Sequence, residues 1–403
     1  MQIARLVIIG AGIAGVSALK AFRELDKISP VIMIDAEDVL PYKRTKLSKI
    51  IAGSQDLHDI ELEQEAFWEQ EVHTQLMLGY QVEQLDIQQK LVQLDHGDPI
   101  QYDKLLLCTG AQANLPAVFG ERARKSVHVL RSYHDLLTLR TALVHSRRVL
   151  VLGMGVLGLE VAEQLAIDGK KVTVSGHGSW PLSQQLDSHC GTLIEQACKA
   201  HGITVLPNDE LQSVREIERR LQSGLVCSAY EVRFSSGLEE RFDLIVVCTG
   251  SKPRIAIAQS AGLAVGTGIL VNSCLQTSQS DIFAAGDCIE FEDGGLCHLW
   301  HESEHLGNLA GKHASGQELP LHNPGFRLKT ELFGQYFWSM GQTSQVHQAT
   351  MLSYDYGTHY YSVNLSGGVI TGIIMAGDKE HAGMYEQAVR ERTTLQAFQA
   401  MQA

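Results

Sequence analysis

The sequence predicts an α/β protein made of two three-layer, doubly wound domains and a small α+β domain. Three observations lead there: a strand, glycine turn, helix, strand unit near the start, a second copy near the middle, and a late change to alternating aromatic and β-branched residues. At 403 residues the chain has room for two or three domains. Hydrophobic residues make up 44% and charged residues 20%, the balance of a globular protein rather than a disordered chain or a membrane bundle. The 33 Lys and Arg against 46 Asp and Glu leave a net charge of -13, which repels nucleic acid and anionic membrane.

The first unit opens with the apolar run Ile3 to Ile9 and turns through Gly10-Ala11-Gly12-Ile13-Ala14-Gly15 into a helical pattern reaching Phe22. A second strand, Val31 to Ile34, closes on Asp35 and Ala36, with Asp35 twenty residues after Gly15. This is the order of a Rossmann-like dinucleotide-binding unit. Small residues let the backbone approach a pyrophosphate, the helix start offers unpaired N–H groups, and the carboxylate accepts from ribose hydroxyls. One such glycine motif is weak evidence. Here it recurs as Gly153-Met154-Gly155-Val156-Leu157-Gly158, after the strand Val149 to Leu152 and before Val172 to Val174. The two copies also end alike, at Leu107-Cys108-Thr109-Gly110 and Val247-Cys248-Thr249-Gly250. Duplication at matched offsets makes two nucleotide sites the expected reading.

After Gly250, residues Leu275 to Asp287 read as a strand ending in small residues, Gly286 and one carboxylate. From Phe326 onward the pattern predicts a third, α+β domain, with a hairpin of Tyr360 to Leu365 and Val369 to Ile374 around Gly367-Gly368. The eight cysteines have no paired spacing, which argues against a zinc ribbon, a disulfide scaffold or a thioredoxin-type pair and fits a reducing cytoplasm. Leu6 to Leu19 is too short an apolar run to span a bilayer. His301-Glu302-Ser303-Glu304-His305 satisfies H-E-x-x-H, but 17 histidines make a chance match easy, and no metal is expected.

With these motifs the chain resembles the two-dinucleotide flavoprotein family of pyridine nucleotide oxidoreductases, closest to the rubredoxin reductase and flavorubredoxin reductase type. The resemblance covers essentially the whole length. It rests on the paired fingerprints, the segment Pro41-Tyr42-Lys43-Arg44-Thr45-Lys46-Leu47-Ser48-Lys49, the two Thr-Gly strand ends and the Thr277 to Asp287 motif. It implies FAD on the first fingerprint (Gly10, Gly12, Ala14, Gly15) and NADH or NADPH on the second (Gly153, Gly155, Gly158, with Gly176 and Gly250). It further implies that Asp35 meets the adenosine ribose, Val82 the adenine, Thr109 and Gly110 the FAD path, and Asp287 the ribityl chain, with Ala36 and Gly286 also counted as cofactor-binding. Arg44 and Lys49 would line the pyrophosphate and flavin, although Thr45 stands where the family usually has Pro. Lys49 and Glu160 are the expected catalytic residues, beside the flavin and the nicotinamide, and Trp300 the aromatic at the flavin. From the residues alone, Lys49 is equally a solvated lysine, Glu160 a helix-face carboxylate and Trp300 a core aromatic.

The family's disulfide and peroxide enzymes carry cysteines in the first domain, and this chain has none before Cys108. Electrons are therefore expected to leave the flavin directly, one at a time, to a small rubredoxin-like carrier, with no nucleic acid or membrane partner. An FAD oxidase or monooxygenase, or a flavin-bearing interaction protein with a degenerate second site, are the alternatives. The last draws on Gly176, which stands where an acid should accept the NAD ribose, followed by His177. The expected domains are 1–115 with 253–320 for FAD, 116–252 for NAD(P)H, and 321–403. Between Glu121 and Arg148, seven basic and two acidic residues leave a local excess of +5, a solvated face or a steering patch for an acidic carrier.

Overall fold

The computed structural model describes residues 2–401 apart from 54–55, 72, 221, 298, 318, 322–326 and 344–349, so Phe326 lies outside the described residues. The chain forms two compact units. The first comprises Met1–Asn114, Arg131–Tyr133 and Ser251–Pro324, and the second Leu115–Leu130, His134–Gly250 and Gly325–Ala403.

In the first unit, among the described residues, the main sheet has seven strands. Gln2–Ile9 lies between Val31–Asp35 and Ile100–Leu107, parallel to both, and Thr74–Leu78 extends the parallel edge. Strands buried on both faces explain why Leu6, Val7, Ile8, Met33, Leu105, Leu106 and Leu107 are apolar without alternation. The helix Ile13–Leu25 covers one face and meets the helix Trp300–Ala314 at backbone contact. A Cβ on Gly307 would stand 2.2 Å from the Ala14 carbonyl oxygen, and one on Gly311 would stand 2.1 Å from that of Ala18. Glycine at these positions is what lets the two helices close.

The segment Leu275 to Asp287 departs from expectation. Only Ile282–Ala284 is strand, pairing parallel with Ile100–Leu107. The residues before it fold back, Thr277 N–H donating to Ile282 O (2.9 Å) and Ala284 N–H to Leu275 O (3.0 Å). The Thr-Ser-Gln-Ser run is a turn, in which short polar side chains compete with strand pairing.

In the second unit, Thr204–Pro207, Lys171–Gly176, Arg148–Leu152 and Leu244–Val247 form a parallel sheet in that order. An antiparallel sheet of Leu211–Arg220, Val226–Phe234 and Glu239–Phe242 adjoins it. Among the described residues, the last part of the chain builds a five-stranded antiparallel sheet. Its hairpin, Tyr360–Ser366 with Val369–Ala376, turns at Gly367-Gly368 as the sequence predicts. One face of that sheet buries Trp338, Tyr361, Val363 and Met375 against Tyr385, Ala388 and Phe398 of the closing helices. Asp187 joins the two parts of this unit. It caps the helix Ser188–Ala200 through Cys190 N–H (3.0 Å) and accepts from Tyr360 Oη (2.6 Å) and Ser362 Oγ (2.9 Å). Among the described residues no helix is long and apolar enough to cross a membrane.

Candidate functional site

Each fingerprint is a knot of three backbone segments. Gly10 has φ +105°, and a Cβ there would stand 2.1 Å from the carbonyl oxygen of Cys108, at the end of the strand Ile100–Leu107. A Cβ on Gly15 would stand 2.0 Å from Gly10 O. The second copy repeats this, with Gly153 at φ +115° and 2.3 Å from Cys248 O, and Gly158 at 1.9 Å from Gly153 O. Cys108 N–H donates to Ile9 O and Cys248 N–H to Leu152 O, both at 2.7 Å. Only glycine accommodates both the positive φ and the contact.

The middle glycines behave differently. Gly12 and Gly155 are the N-caps of the helices Ile13–Leu25 and Val156–Ile167, and neither helix has a side-chain cap or an acid in its first turn. A Cβ on Gly155 would meet nothing within 4 Å, and one on Gly12 only Arg44 Nε at 3.9 Å. Uncapped helix starts with little or nothing at the Cβ positions of their cap glycines leave room for an anionic phosphate against the positive dipole end.

Around the first knot lie several of the expected residues. Asp35 Oδ2 accepts from Ala11 N–H (2.6 Å) and Oδ1 from Glu37 N–H (2.9 Å), with Ala36 exposed between them. Tyr80 N–H donates to Asp35 O (3.1 Å), which brings the strand Val82–Asp86 and its half-buried Val82 to the same end of the sheet. Arg44 pairs with Glu37 (2.5 Å) and donates to Tyr42 Oη (3.1 Å) and Arg131 O (3.0 Å). Burial opposes its charge, but the Tyr42, Glu37 and Asp35 oxygens outweigh this and raise its pKa. Thr109 Oγ1 donates to Arg254 O (2.8 Å), and Gly110 has open space at Cβ, as Gly250 of the second unit does at its own strand end. A Cβ on Gly286 would touch that of Ala14 at 2.9 Å. Lys49 sits half-buried in the turn Ser48–Ile50, and Trp300 begins the helix Trp300–Ala314. In the second unit, Glu160 lies half-buried two residues past Gly158.

Asp287 has partners that the sequence does not reveal. Oδ1 accepts from Ser303 Oγ (2.8 Å), and Oδ2 pairs with Arg131 (3.2 Å). Arg131, read from the sequence as part of a basic stretch, belongs to the first unit. Elsewhere in that stretch, Lys125 pairs with Glu121 (3.7 Å) and Arg148 with Glu240 (2.5 Å). Arg254 is a third guanidinium in the first cradle. Its pKa is lowered by burial and then by Arg44 and Arg131, against the pull of Asp35 and Glu37. Three clustered guanidiniums and an uncapped helix start form the donor set that a dinucleotide pyrophosphate requires.

A family model described as pyridine nucleotide-disulphide oxidoreductase matches residues 4–307. The chain belongs to this family. It is 32% identical over 326 residues to a nitric oxide reductase FlRd-NAD(+) reductase of Vibrio vulnificus (strain CMCP6), covering 81% of this chain and 82% of that protein. It is 30% identical over 384 residues to the assimilatory nitrate reductase electron transfer subunit of Bacillus subtilis (strain 168), covering 94% of this chain but 48%, about half, of that relative's length. Among solved structures, the NADH:rubredoxin oxidoreductase of Clostridium acetobutylicum superposes with a TM-score of 0.78 at 23% identity, covering 99% of this chain and 100% of that one. A covalent putidaredoxin reductase–putidaredoxin complex gives 0.84 at 20%, covering 96% and 93%, and both likenesses show the fold.

As a member of the pyridine nucleotide-disulphide oxidoreductase family, the chain is an FAD-dependent NAD(P)H oxidoreductase. The name includes a disulphide, yet the thiols here are of another kind. All eight cysteines are free. Burial raises the pKa of Cys108 well above its ordinary value, with Cys288 adding to the shift, and pushes Cys248 up to about 12. Cys288 and Cys297 are raised too, again chiefly by burial. Such thiols stay protonated at neutral pH and are poor nucleophiles.

Proposed function

We propose that the protein passes reducing equivalents from NAD(P)H through FAD to a small rubredoxin-like electron carrier, without a redox-active disulfide. The observation that carries this reading is the pair of matched, uncapped glycine cradles beside thiols held protonated by burial. The names of the relatives, a flavorubredoxin–NAD(+) reductase and an electron transfer subunit, support it. Residues 1–115 and 253–320, joined by 131–133, hold FAD, the rest of 116–252 holds NAD(P)H, and 321–403 form the α+β domain. Eight free thiols suit a reducing cytoplasm.

FAD, when bound, would supply the hydride and single-electron chemistry. The chain's residues bind and orient it. The N–H groups past Gly12, with Arg44, Arg131 and Arg254, neutralise the pyrophosphate. Asp35 takes the adenosine ribose and Val82 the adenine, Thr109 and Gly110 line the path, and Asp287, braced by Ser303 and Arg131, takes the ribityl hydroxyls. The Lys49 ammonium would stabilise negative charge on the flavin ring, and Trp300 would be the aromatic against it. The second cradle would orient the nicotinamide nucleotide, with Glu160 serving its nicotinamide end. The retained geometry of that cradle, down to the contact of Gly158 with Gly153 O, favours a working site over a decayed one.

The test is anaerobic: NADH or NADPH should bleach the flavin, and the reduced protein should pass electrons to rubredoxin faster than to oxygen. Rubredoxin no faster than oxygen at low and high salt would replace the carrier reading with an oxidase.

A further inference from the structure

The second cradle lacks an acid where the first has Asp35, because Gly176 ends the corresponding strand. The neighbouring strand supplies one. Lys171–Gly176 and Thr204–Pro207 run parallel with Gly176 opposite Pro207, so their following loops emerge side by side at the fingerprint end of the sheet. The loops are tied together: Asn208 N–H donates to Gly178 O (3.0 Å), and Ser175 Oγ donates to Asp209 O. Asp209 is buried, and its carboxylate is spent on Ser235 Oγ (2.9 Å), Ser236 N–H (2.8 Å) and Ser236 Oγ (2.7 Å). Glu210 follows it with its backbone fixed at both ends, N–H to Ser235 Oγ (3.0 Å) and O from Ser235 N–H (2.8 Å). Its carboxylate is 55% exposed and lies 2.6 Å from His177 Nδ1.

We propose that Glu210, positioned by His177, stands in for the acid missing at Gly176 and selects NADH over NADPH. This rests on the reading of the second unit as the nicotinamide-nucleotide site. A carboxylate there accepts from the 2'- and 3'-hydroxyls of a ribose and repels a 2'-phosphate. The function is supplied from the next strand over, which leaves the strand end itself free to be glycine. There a Cβ would press on Met154 Cγ at 3.2 Å and Met154 N at 3.3 Å.

The test titrates the purified flavoprotein with NAD+ and with NADP+ by calorimetry, beside anaerobic flavin bleaching by NADH and NADPH. The wild type should prefer NAD+ by about tenfold or more, E210Q should lose most of that ratio, and E210R should invert it, all with unchanged flavin content. A wild type that binds neither nucleotide, though dithionite reduces its flavin, overturns the functional reading and this inference with it. A wild type that binds NAD+ with a preference untouched by E210Q overturns the inference alone.

Discussion

Two neighbouring glycines of the second fingerprint should fail in opposite ways. In Gly158→Ala the new methyl would stand 1.9 Å from Gly153 O and 3.4 Å from the Cys248 side chain, so backbone must move. Overpacking of this kind costs about 3 kcal/mol, and the better helix propensity of alanine returns about 1. The net loss of about 2 kcal/mol corresponds to ~4–8 °C in the melting of a unit of this size. In Gly155→Ser the side chain enters open space at an extended N-cap, where serine is as good a cap as glycine or better. Stability should hold within about 0.5 kcal/mol, while the hydroxyl occupies a first-turn N–H and weakens NAD+ by about tenfold, the value of one charge-assisted hydrogen bond. Scanning calorimetry with an NAD+ titration reads both. Gly158→Ala melting with the wild type, or Gly155→Ser losing stability rather than affinity, would refute the reasoning.

Asp287→Ala and Arg131→Ala should each purify with depleted flavin, Arg131→Ala about tenfold weaker for FAD through one lost charged contact; full occupancy in both would remove the pair from the site. Iodoacetamide at neutral pH should leave Cys108 and Cys288 unmodified by mass spectrometry and NADH bleaching unchanged, whereas labelling of Cys108 in the native protein would contradict its burial. His128 has its pKa lowered from 6.5 by burial, with Asp135 opposing the shift, so the folded form resists a proton that the unfolded chain accepts. Its stability contribution is complete above 6.5 and is lost as pH falls through the lower folded value, so His128→Asn should flatten the acid side of the urea-midpoint profile; an unaltered slope would show that other groups set it.

The duplicated fingerprints are legible in the sequence because glycine spacing records a local steric demand, and the hairpin at Gly367-Gly368 because alternation and turn residues are also local. Arg131 is not legible. Residues 131–133 are three positions of the first unit flanked on both sides by the second, and no periodicity signals a chain that crosses and returns. Glu210 is hidden for a related reason. An acid is sought along the strand that follows the glycines, and this one arrives from the adjacent strand, through pairing that the linear pattern does not encode. The strand expected over Leu275 to Asp287 shrinks to Ile282–Ala284 because apolar content outvoted the turn chemistry of Thr277 to Ser280.

The contact of Gly307 and Gly311 with the Ala14 and Ala18 carbonyls also sets an order of events during synthesis. The first glycine turn leaves the ribosome early, but the helix behind it gains its backbone partner only when Trp300–Ala314 emerges, and the sheet its strand only at Ile282–Ala284. The second parallel sheet is complete once Leu244–Val247 has appeared, well before that. The inserted sheet can therefore assemble while the unit that brackets it is still waiting for its last pieces, with an apolar helix face uncovered meanwhile. A growing chain arrested between these two points would expose that face, and there a holding chaperone would find its substrate.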